Sequence, residues 1–94
     1  MQEYVNTYTI KEEYMTVNQA VYKRLEEILK QKLMSFYRLQ RKSGVTPATF
    51  QSLRGPNRKG VNLKTVLILI NALEITPEEF FASPLFKEEN LVLD

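Results

Sequence analysis

Few residues of this chain could do covalent chemistry. It has no histidine and no cysteine, and Asp94 is its only aspartate. The usual nucleophile–base pairs and nitrogen–sulfur metal sites cannot be built from such a set. Apart from Glu3 and Glu74, the glutamates stand in pairs at 12/13, 26/27, 78/79 and 88/89, as helix surfaces and caps use them. Gly44, Gly55 and Gly60 do not form a GxxxxGK[ST] phosphate loop. An enzyme is not expected, and no cofactor or metal is implied. What the side chains can do is hold a polyanion. Between Glu27 and Glu74 there is no acid, yet Lys30, Lys32, Arg38, Arg41, Lys42, Arg54, Arg58, Lys59 and Lys64 all fall there. Residues 1–18 carry Lys11 against Glu3, Glu12 and Glu13, and residues 83–94 carry Lys87 against Glu88, Glu89 and Asp94. The formal charge of +2 is therefore an excess of basic charge in the middle, flanked by acidic ends. A field of one sign suits nucleic acid.

The elements that must position those charges are helices. Thr16 to Gln19 has the capping-box pattern, and Val21, Leu25, Ile28, Leu29 and Leu33 or Lys32 continue it as an apolar stripe. Glu26 and Glu27 pair outward with nearby lysines. Ser35 caps a second helix that runs to about Lys42. A turn at Ser43-Gly44-Val45 follows, its glycine suited to a left-handed backbone. Thr46 and Pro47, cap and first position, open a third helix to about Arg54, which Gly55-Pro56 stops. Leu39, Gly44, Val45, Phe50 and Leu53 have the spacing by which a helix-turn-helix buries its inner angle. Asn62 caps a fourth helix over Leu63 to Leu73, and Thr76-Pro77-Glu78-Glu79 opens a fifth, with Phe80 and Phe81 as its core contacts. Helix four is apolar on every side over Val66–Ile70, so a residue such as Ile68 needs a cover: the N-terminal strand, the tail, or a second subunit.

The organisation expected is residues 1–15 as an N-terminal arm or strand, 16–83 as the domain with its helix-turn-helix at 35–55, and 84–94 as a tail. Tyr4–Ile10 is rich in strand formers, and Leu91-Val92-Leu93 could pair with it as a small sheet; a terminal arm without partners is the plainer reading. The loop Gly55–Gly60 reads either as a simple turn or as a phosphate-gripping loop. Ninety-four residues allow one modest core. The lack of cysteine and of a leader or spanning segment fits a soluble cytoplasmic protein away from membranes.

Residues 35–55, SFYRLQRKSGVTPATFQSLRG, closely resemble the helix-turn-helix of the lambda Cro and repressor (Xre-type) DNA-binding family. The resemblance extends over roughly residues 19–82. It implies an all-α fold, a compact five-helix lambda-repressor-like domain, with its third helix in the major groove of double-stranded DNA. By position, it makes Pro47, Ala48, Gln51 and Ser52 base-facing, with Thr49 as an addition. Thr46, Asn57, Arg58 and Lys59 would meet phosphates, and Arg54 or Arg58 a narrow minor groove. Phe50 and Leu53 match core positions. Three residues depart from the family pattern: Phe36 where glutamine often reaches a phosphate, Gln40 where alanine is usual, and Glu74 where glycine usually ends helix four.

The function these readings imply is a sequence-specific DNA-binding regulator, a bacterial or phage-type repressor that holds its operator as a homodimer. The alternative is a protein-interaction module or antitoxin-like partner on the same bundle, using Ile68, the termini and an exposed Phe36.

Overall fold

The computed structural model describes residues 14–55 and 60–93. Its elements are β1 (Met15–Thr16), α1 (Val17–Lys32), α2 (Phe36–Ser43), α3 (Pro47–Arg54), α4 (Leu63–Ala72), α5 (Pro77–Phe81), two 3-10 turns (Pro84–Phe86 and Glu88–Asn90) and β2 (Leu91–Val92). Five helices in this order form the all-α helix-turn-helix architecture that the spacing implies.

Local chemistry sets most helix starts. Thr16 and Gln19 cap α1 reciprocally, each side chain accepting from the other's backbone N–H at 3.1 and 3.0 Å. Thr76 and Glu79 do the same for α5 at 3.1 Å each way. The Ser35 hydroxyl accepts from Arg38 N–H, and the Asn62 side chain from Lys64 N–H. Thr46 is different. It stands in cap conformation, but its side chain takes no backbone N–H; its hydroxyl instead pairs with that of Thr49 at 3.2 Å.

The helix ends also vary. Gly44 closes α2 in the left-handed region at φ 77°, as its type allows. Gly55 closes α3 with extended backbone at φ −73° and ψ 171°, the conformation that a following proline imposes. Leu33 ends α1 left-handed at φ 55°, with Met34 N–H bonded back to the Leu29 carbonyl at 2.9 Å. That turn carries the Leu33 side chain off the apolar stripe, and it is 93% exposed. The stripe therefore stops at Leu29, and neither Leu33 nor Lys32 continues it.

The core is a single cluster. Val21, Leu25, Ile28 and Leu29 of α1 meet Leu39 of α2, Phe50 and Leu53 of α3, Val66, Leu69 and Ile70 of α4, Leu73, and Phe80. Phe81, expected beside Phe80 in the core, is exposed, although its ring packs edge-on against Phe80 and Phe86 at 5.0 Å. The tail joins this edge through Phe86, 5.8 Å from Phe80. Its strand β2 then lies parallel to β1, with Met15 opposite Leu91 and Thr16 opposite Val92. The tail strand thus pairs with the two residues leading into α1; the expected strand Tyr4–Ile10 lies outside the described residues. No described helix is long and apolar enough to cross a membrane.

Candidate nucleic-acid interface

The helix-turn-helix is α2, the Gly44 turn and α3. Its inner angle is filled as its spacing requires. Leu39, Phe50 and Leu53 are buried, and Val45 packs against them. In α3 this fixes the rotation of the helix, because Phe50 and Leu53 lie on one side of an eight-residue rod. Pro47, Ala48, Gln51 and Ser52 are turned the other way, and all four are exposed. They form a continuous strip about one helix-width across, fit for the floor of a major groove. Thr49 stands at its margin, half-buried, with its hydroxyl engaged by Thr46.

Arg54 is exposed at the other margin, at the C-terminal end of α3. It borders a groove shared with Tyr22, Phe36, Gln40, Pro47, Phe50 and Gln51. Asn57, Arg58 and Lys59, the remaining expected phosphate contacts, lie outside the described residues. The site that the structure brings together is thus Thr46, Pro47, Ala48, Gln51, Ser52 and Arg54.

Phe36 is the main surprise of this region. It stands at the first position of α2, where a polar side chain could reach a phosphate. Instead its ring stacks on Tyr22 at 5.0 Å, with the planes within 5°, and meets Phe50 edge-on at 5.6 Å. Half-buried in that trio, it is not an exposed anchor. Gln40, one turn further on, is also half-buried and lines the same groove. A long side chain is accommodated there at the border of the groove. Tyr22 is the residue of this site that sequence reading missed: its place beside an apolar stripe gives no sign of the ring it meets fourteen positions later.

The basic charge is not spread evenly. Arg54 stands beside the reading strip, whereas Lys42 donates to the Glu74 carboxylate at 3.1 Å near the end of α4. The hydrogen bond and charge of Lys42 hold that carboxyl below the usual carboxylate range, and the charges of Lys32 and Arg38 lower it further. Part of the acid-free run is thereby committed to an intramolecular partner.

An exposed helix following a turn whose inner angle is buried, within five helices, defines a helix-turn-helix DNA-binding domain. The chain belongs to the Cro/C1-type HTH DNA-binding domain family, whose model matches residues 24–83. No curated protein and no solved structure matches it. Membership makes this chain a DNA-binding regulator.

Proposed function

We propose that the chain is a sequence-specific transcriptional repressor that holds operator DNA as a homodimer in the cytoplasm. The observation that carries this reading is the exposed strip of α3, Pro47, Ala48, Gln51 and Ser52, set opposite the buried Phe50 and Leu53. The Gln51 amide suits adenine N6 and N7, and the Ser52 hydroxyl can donate or accept. Ala48 and the Thr49 methyl suit a thymine methyl group. Pro47 offers no donor, so the strip is poor in hydrogen bonds, and part of the selectivity falls to DNA shape. Thr46, Arg54, Asn57, Arg58 and Lys59 hold phosphates. One such unit reads only a few base pairs, and two half-sites give useful affinity.

Fluorescence-anisotropy titration against a random duplex at two salt concentrations tests the reading. Log affinity should fall with log salt by about 0.9 per phosphate neutralised. Arg54→Glu, and separately Arg58→Glu/Lys59→Glu, should flatten that slope, while Gln51→Ala should leave it and lower only the preference for a selected operator. Absence of binding at low salt would refute the proposal. It would favour the protein-partner reading, which rests on the exposed apolar residues of α4 and draws nothing from Phe36.

A further inference from the structure

Beside the exposed strip of α3 lies a small groove of about 180 Å3, bordered by Tyr22, Phe36, Gln40, Pro47, Gln51 and Arg54. Pockets for small molecules enclose about 300–1,000 Å3, so a small-molecule effector is a poor fit. Two helices bring its polar groups together. Phe36 and Gln40 stand four positions apart on one face of α2, and Pro47, Gln51 and Arg54 share one face of α3. The Phe36 ring is taken up by Tyr22 and Phe50, which leaves Gln40 as the polar group that α2 brings to the groove. No acid borders it, and Arg54 is its one charge. Among the described residues, the side chains of Gln40, Gln51 and Arg54 have no hydrogen-bond or ion-pair partner.

We propose that this groove seats one phosphate of the duplex backbone, held jointly by the Gln40 amide and the Arg54 guanidinium; the seat rests on the DNA-binding reading above. Pro47 and Gln51 belong both to the groove and to the strip set for base edges. A helix with its side chains is about 10–12 Å across, and the major groove is about 12 Å wide. What flanks the strip therefore meets the phosphate wall. The two polar groups complement each other there. The guanidinium offers N–H donors in a fork that matches phosphate oxygens. The Gln40 amide offers its NH2 to the same oxygens and its carbonyl to Arg54, a pairing that a hydroxyl or a lysine at position 40 could not supply. The stacked rings of Tyr22 and Phe36 lower the local dielectric on one side, which strengthens hydrogen bonds to a charge. Gln40 is thus a DNA-binding residue, and it is contributed by α2.

Fluorescence anisotropy on the full chain tests this, with a random duplex and a selected operator, each across a salt series. Gln40→Ala should weaken both duplexes by the same factor, about tenfold, because one hydrogen bond to a charged group is lost. Its salt slope should stay unchanged, since no charge is removed. Gln40→Glu keeps the shape of the side chain. It should weaken binding further and lower the slope by about 0.9, as Arg54→Gln does, because its carboxylate pairs with Arg54. Gln40→Ala combined with Arg54→Gln should cost less than the product of the single losses, since both residues hold one phosphate. Unchanged binding by Gln40→Ala would overturn the seat. So would a loss confined to the operator, which would make Gln40 an aid to base reading. Losses that multiply in the double variant would put the two residues on separate phosphates and overturn their joint hold. A parent protein that binds neither duplex would refute the DNA-binding reading itself, and the seat with it.

Discussion

Arg24 and Phe80 are joined by a 2.7 Å hydrogen bond from the guanidinium Nε to the backbone carbonyl. The same guanidinium donates to the Glu79 carbonyl at 2.7 Å and to the Glu27 carboxylate at 3.0 Å. One largely buried cation thus satisfies two carbonyls of the short α5, which has too few residues to satisfy them itself. It ties the end of the five-helix bundle, and with it the tail, to the first helix. Hydrogen bonds to a charged group are worth about 1.5–3 kcal/mol. Arg24→Met keeps the aliphatic stem and removes all three bonds. It should lower stability by about 2–3 kcal/mol, read as a lower urea midpoint with an unchanged slope. A loss confined to a few tenths would mean that water replaces the guanidinium.

The Tyr22–Phe36–Phe50 trio makes a prediction about the turn itself. Phe36 joins α2 to both α1 and α3 through its ring. Truncating a half-buried aromatic leaves a gap and removes ring–ring attraction. Phe36→Ala should therefore cost about 2–3 kcal/mol, and Phe36→Leu roughly half of that. Phe36→Gln restores a side chain that can reach phosphate, at the expense of the stack. Its melting temperature should fall while its affinity for DNA rises with an unchanged salt slope, since glutamine reaches phosphate without adding charge. Tighter binding without a lower melting temperature would show that the stack contributes little.

What could be read from the sequence was what neighbours within four residues determine. The caps at Thr16, Ser35, Asn62 and Thr76 each depend on a partner two or three positions away, and each forms. The exposed strip of α3 was legible for the same reason, since burying Phe50 and Leu53 leaves only one other face. Thr46 misled because proline already fixes the first position of α3, and its hydroxyl found Thr49 instead. The Arg24 clasp, the Phe36 stack and the pairing of β1 with β2 join residues 14 to 76 positions apart, and no local pattern encodes them. Glu27 illustrates the difference: expected to pair with nearby lysines, it pairs with Arg24, whose direction the α5 carbonyls have already set.

Leu33 should be improvable. It holds a left-handed backbone at φ 55°, costly for any residue with a Cβ, and exposes almost its whole side chain. Leu33→Gly relieves both, less the extra freedom that glycine gives the unfolded chain. A gain of about 0.5–1 kcal/mol in chemical denaturation is expected. A loss would mean that Leu33 packs against something outside the described residues.

Glu74 shares that backbone, at φ 61°, but has a compensating partner in Lys42. Its carboxyl titrates below its ordinary value of 4.5 in the folded chain, first because Lys42 donates to it and then through nearby positive charge. A depressed folded pKa contributes stability above the unfolded value, and that contribution is lost as pH falls through the folded one. Glu74→Gln keeps the backbone and removes the charge. Its urea midpoint should lie below that of the parent at pH 7, and the gap should close as pH falls through the depressed folded value. A gap independent of pH would assign the difference to shape instead of charge.

The surface of α4 bears on the proposed homodimer. Val66, Leu69 and Ile70 turn into the core, while Leu63, Leu67 and Ile68 remain 64, 43 and 39% exposed. The tail, expected as a cover for Ile68, packs along α1 and leaves this stripe open. Apolar side chains gathered on one helix face suit a second copy of the chain, and the homodimer proposed above would use them. Ile68→Lys should be tolerated by the fold, with melting changed by little, because the site is open. Sedimentation equilibrium should show the parent associating as concentration rises and the variant remaining monomeric. Binding to a duplex with two half-sites should then weaken by about a hundredfold, while binding to one half-site is unchanged, since only the linkage between copies is lost. A parent protein that stays monomeric at every concentration, with or without DNA, would remove the dimer from the proposal and leave the α4 stripe to a different partner.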